Sequence, residues 1–108
     1  MTVRFTESEI RFRVVPTELD ELIAGRALTL DSVPVRAELK AKDVIDSKKI
    51  SLKVEGAHLW VEISKNELEL LKARLPSREG IDEFVRLEPG REVSVSFEVD
   101  IKAKQRSL

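Results

Sequence analysis

The run IRFRV, residues 10–14, sets Arg11 and Arg13 on alternate positions between Ile10, Phe12 and Val14. In a strand that alternation sends the apolar residues to one face and both guanidiniums to the other. Two forked cations side by side, just before a helix start, are suited in type to holding a carboxylate or a phosphate. Lys53 occupies a comparable outward position in the run ISLKV. Trp60, the only tryptophan, lies between Leu59 and Val61 and by the same parity faces away from the core. An exposed tryptophan is the residue type most enriched at contact hot spots. Arg11, Arg13, Lys53 and Trp60 are therefore the candidate binding residues.

Other chemistry finds no foothold. His58 is the single histidine and alternates outward, whereas a zinc site needs three or four N, S or O ligands. Asp43 and Asp46 have neither the spacing nor the glycine of a calcium loop. Cysteine is absent, which excludes disulfides, thiolate metal sites and a cysteine nucleophile. No glycine-rich phosphate loop or nucleophile elbow occurs. No catalytic residue, metal ligand or cofactor is expected, and the chain reads as a non-enzyme.

Nucleic acid is a weaker prospect than the arginines suggest. Arg4, Arg11, Arg13, Arg36, Lys40 and Lys53 could form a basic sheet face, yet Glu9, Glu38 and Glu62 share it. Single-strand recognition also wants aromatic platforms, and Phe5, Phe12 and Phe97 are assigned to the core by parity. The net charge of −1 lacks the basic excess of a non-specific binder. Residues 50–101 hold seven Lys/Arg against eleven Asp/Glu, while the tail KAKQRSL carries three basic residues and no acid. No apolar leader or membrane-length segment is present, so the expected location is the cytoplasm, with no membrane partner.

The elements that must position these residues follow from period and punctuation. Val3 and Phe5 alternate, TESE turns, and Ile10, Phe12 and Val14 alternate again, which predicts a hairpin. A helix follows in PTELDELIAG, with Thr17 as its N-cap, Leu19, Leu22 and Ile23 as its apolar face and Gly25 as its end. ALTL and VPVRAELKA are two further strands around the turn-like DSVP. Ile50, Leu52 and Val54, the turn EGA, and Leu59, Val61 and Ile63 make another hairpin. Ser64-Lys65-Asn66-Glu67 is a capping box that starts a second helix, running to about Arg74. A short strand is expected at Glu83–Leu87, and a last one carries Val93, Val95, Phe97, Val99 and Ile101 inward.

A shift of 49 positions superimposes the two halves without a gap: Val3 on Leu52, Phe12 on Val61, Val14 on Ile63, Leu22 on Leu71. PVRAELKA then matches EVSVSFEV at an offset of 58, which leaves nine extra residues between Leu75 and Gly90. The expected fold class is α+β: two β-β-α-β-β units in pseudo-two-fold arrangement, about eight mostly antiparallel strands with two helices. Each helix should cover the inner face of a sheet, and the halves should share one core, since neither can bury its own apolar face. The whole chain, 1–108, is one domain: pseudo-repeats 2–41 and 50–101, a connecting loop 42–49 and a basic tail 102–108.

The block Ile10-Arg-Phe-Arg-Val14, with Glu18, Leu19, Leu22 and Gly25 after it, resembles the N-terminal signature of a family of small uncharacterised bacterial proteins. That resemblance implies a bacterial origin and a fold, and no activity. The expected function is thus a protein-interaction or self-associating module, with a protein partner or a homodimer. The alternative is an anion-binding module for nucleic acid or a phosphorylated ligand that uses Arg11 and Arg13. Their counterparts in the second half are Trp60 and Glu62, so the basic pair belongs to one half only.

Overall fold

A computed structural model describes residues 1–32, 35–43, 48–77, 79–88 and 90–100. Pro34, Asp46, Ile101 and the basic tail lie outside the described residues. In chain order the elements are β1 (Thr2–Phe5), β2 (Glu9–Val14), α1 (Pro16–Ile23), β3 (Leu28–Asp31) and β4 (Arg36–Lys42). The second half supplies β5 (Ile50–Glu55), β6 (His58–Ser64), α2 (Lys65–Arg74), β7 (Ile81–Glu88) and β8 (Arg91–Val99). The fold is α+β, with two four-stranded sheets and the β-β-α-β-β order expected of each half.

Each sheet takes one hairpin from each half. Sheet A has the order β1-β2-β8-β7 and sheet B the order β3-β4-β6-β5. Hairpins pair antiparallel, as short loops require, but both junctions between halves, β2 with β8 and β4 with β6, are parallel. The two junctions share one register. Glu9 faces Ser94 in sheet A, and the offsets of 49 and 58 carry that pair onto His58 facing Arg36 in sheet B. The nine extra residues divide in the same way. Leu28 and Ile81 hold equivalent pairs with Leu39 and Phe97, so four precede β7 and five extend the β7–β8 hairpin.

The strand expected at Glu83–Leu87 is therefore longer, Ile81–Glu88, because β7 pairs along most of β8. Inward positions of both sheets and both helices form a single buried cluster that includes Phe12, Val14, Leu19, Leu22, Leu39, Ile63, Leu68, Leu71, Val95 and Phe97. The helices do not divide one per sheet. Their closest strand neighbours are in sheet B, α1 against β3 and β4 and α2 against β4 and β6, and they touch each other. Lys72 of α2 reaches Asp20 of α1 at 2.7 Å.

Helix starts differ in detail from expectation. Thr17 is not the N-cap of α1; that position is Val15, with Pro16 first in the helix. Proline suits that place because its missing N–H would have had no partner there. Glu18 reaches back to accept from the Val15 N–H at 2.9 Å. At α2 the Ser64 hydroxyl accepts from the Glu67 N–H at 3.4 Å. The reciprocal half of that box does not form, since the Ser64 N–H donates to the Lys49 carbonyl in the strand ladder. Gly25, at φ +94°, ends α1 in the left-handed conformation that glycine adopts without strain.

Among the described residues the two sheets meet most closely along one side. β5 lies against β7, and the Glu83 carboxylate accepts from the Lys49 N–H at 2.9 Å. The equivalent seam between β1 and β3 leaves a mostly apolar crevice of about 210 Å³ lined by Val3, Phe5, Leu30, Ser32, Val35 and Ala37. Phe5, assigned to the core by parity, is 50% exposed there. Its inward direction leads to an open sheet edge instead of the interior.

Candidate functional site: two outer sheet faces

The four sequence candidates separate into two pairs. Arg11 and Arg13 lie on the outer face of sheet A, Trp60 and Lys53 on that of sheet B, where they are register neighbours. The single basic face considered from parity divides likewise. Arg4 joins Arg11 and Arg13 on sheet A, and Arg36 and Lys40 join Lys53 on sheet B. A run of alternating residues states which side of its own strand a cation occupies. Only the pairing of strands states which cations share a surface.

On sheet A both arginines have carboxylate partners. Arg13 grips Glu98 with Nε at 2.8 Å and Nη2 at 2.7 Å, a pair brought together from 85 positions apart by the parallel β2–β8 junction. Arg11 Nη2 meets Glu9 at 3.1 Å, and its Nε is buried with no hydrogen-bond partner. Beside Arg11 is a hollow of about 390 Å³ lined by Glu79, Gly80, Asp82, Ser96 and Glu98. Three carboxylates around one guanidinium make it net acidic, so an approaching phosphate would meet repulsion.

Sheet B presents a different surface. β6 is an interior strand, and its outward residues are His58, Trp60, Glu62 and Ser64. The Trp60 ring stacks on His58, with centroids 3.8 Å apart and planes within 9°. Residues two apart on a strand face one side, so the stack is a local consequence of the H-L-W spacing. Glu38 of β4 stands beside Trp60 on one side and Lys53 of β5 on the other. Glu38, Lys40, Ser51, Lys53, Trp60 and Glu62 border a hollow of about 270 Å³. The rings form a half-buried amphipathic stack in a field of mixed charge.

Phe84 was missed by the sequence reading. It is 70% exposed on the outer face of β7, opposite Ser94. The signal was available: Ile81 and Val85 point inward, which leaves Phe84 between them pointing out. The apolar run FVRL concealed it, because the β7–β8 hairpin departs from the repeat.

Among the described residues no group of three or more His, Asp or Glu side chains could hold a metal ion. No helix of the described residues is long and apolar enough to cross a membrane. No family model matches the sequence, and a comparison with curated proteins finds no match.

Proposed function

We propose that this chain is a non-enzymatic, cytoplasmic protein-interaction module of bacterial origin that makes contact through the outer face of sheet B, with Trp60 at its centre. The observation that carries this reading is the half-buried His58–Trp60 stack on the outward side of the interior strand β6. Trp60 is only partly covered by its own chain, and a rigid aromatic with charged neighbours at its rim is the usual composition of a contact centre. The alternative, anion binding by Arg11 and Arg13, has less support because both are held by carboxylates beside an acidic hollow.

Photo-crosslinking tests the reading. A benzoylphenylalanine placed at position 60 should give protein adducts in cells, and the same group at position 13 should give few. Equal adducts from both positions, or none from position 60, would refute it.

A further inference from the structure

The outer face of sheet B has a charge pattern that reverses sign across β6. β4 lies on one side of this strand and β5 on the other. In the central row Glu38, Trp60 and Lys53 stand side by side. The next row reads Arg36, His58, Glu55. These two rows place opposite signs at equal distance from the midline, whereas the third, Lys40, Glu62 and Ser51, puts a carboxylate on the midline itself, held by Lys42 at 3.5 Å.

We infer that the occupant of this face is a second copy of the same chain, docked face to face about a two-fold axis that runs along β6. This rests on the reading of sheet B as the contact surface and names its partner. A two-fold axis along the strand lays each copy's β4 over the other's β5. Glu38 then meets the second copy's Lys53, twice, and Arg36 meets its Glu55, twice, with Trp60 against Trp60 between them. An axis across the strands would instead set Glu38 on Glu38 and Lys53 on Lys53. Of the two axes through Trp60, the one along β6 is the one that pairs Glu38 with Lys53; it also brings Glu62 against Glu62, each carrying its own chain's Lys42 at 3.5 Å.

The central pair carries most of the specificity. Stacked sheets are rotated by roughly 30° through their twist, so rows away from the axis fall out of register. Arg36 is also held by Asp31 at 3.1 Å. Glu38, by contrast, makes no ion pair among the described residues, and Lys53 has only Glu55 at 3.7 Å. On sheet A the opposite charges across the parallel junction, Arg13 and Glu98, are already joined within one chain.

Area sets the strength. With β6 on the axis β3 overhangs the partner, and the three overlapping strands, about 4.8 Å apart and about 23 Å long, give a face of roughly 330 Å². A standard interface uses about 800 Å² per partner. The dimer is therefore weak, with a dissociation constant in the micromolar range or above, and it forms at high local concentration.

Sedimentation equilibrium up to about 0.5 mM tests this, since a weak dimer is populated only near its dissociation constant. Wild type should show a monomer–dimer equilibrium that W60A abolishes. E38K and K53E should each weaken it about tenfold through like-charge contacts across the interface. The double variant E38K/K53E should recover it, and an equimolar mixture of the two single variants should form heterodimers tighter than either homodimer. Circular dichroism verifies that every variant is folded. A dimer that is indifferent to these charges, or to Trp60, overturns the inference. So does a wild type that stays monomeric. In that last case, adducts from position 60 to a different protein would retain the interaction surface and discard self-pairing, and their absence would discard both.

Discussion

Gly80 is the position where a single methyl group should do most damage for its size. A Cβ built there would overlap the carbonyl oxygen of Phe97 and would approach the Phe97 carbonyl carbon at 3.0 Å and the Glu98 Cα at 3.1 Å. These are backbone atoms of β8, which is hydrogen-bonded to β2 on one side and β7 on the other, so they cannot swing away. Ile81, the next residue, pairs with Phe97. Relief would have to open the start of β7 or displace a buried strand. Overpacking of this kind costs about 2–3 kcal/mol, the upper part of the usual range, because the obstacle is main chain. For a domain of this size that lowers Tm by about 10–20 °C. The competing argument has the opposite sign: where the backbone is compatible, Gly→Ala stabilises by about 0.4–1 kcal/mol through the unfolded state. Gly25→Ala is the internal control. It has open space around its Cβ but a φ of +94°, so it should lose only about 1 kcal/mol of stability, through backbone strain. Urea titrations followed by circular dichroism compare the two directly. If Gly80→Ala proved as stable as wild type, or less harmful than Gly25→Ala, the steric argument would be wrong.

Phe12→Ala should cost about 3–5 kcal/mol, since Phe12 is fully buried opposite Phe97 at the parallel junction of the two halves. A loss below about 1 kcal/mol in the same titration would mean that the junction is not a packed core. Phe84→Ser should change stability by no more than about 0.5 kcal/mol, because the ring is mostly in solvent. A larger loss in thermal unfolding would place Phe84 in a contact this structure does not contain.

Most local structure is legible in the sequence. Alternation located the hairpins, Gly25 ended α1, Ser64 started α2, and parity turned Trp60 outward. Errors arose where a local rule met a neighbour. Ser64 shares its capping box with Lys49, whose carbonyl takes the N–H that a complete box would use. Phe5 obeys the core parity and is still half exposed, because its strand lies on the open edge.

Period, turns and caps act over a few residues, so the chain's own pattern specifies each hairpin, each helix and the face each side chain takes on its strand. The same pattern is silent on which hairpins join, since any outward-inward ribbon offers equivalent hydrogen bonds along its edge. Only the shared core, which neither half could complete alone, selects the exchange that sets β2 beside β8 and β4 beside β6. That exchange brought Glu98 to Arg13 and Glu38 to Trp60. It closed the arginine pair within the chain and left Glu38 beside Trp60 with no ion pair among the described residues.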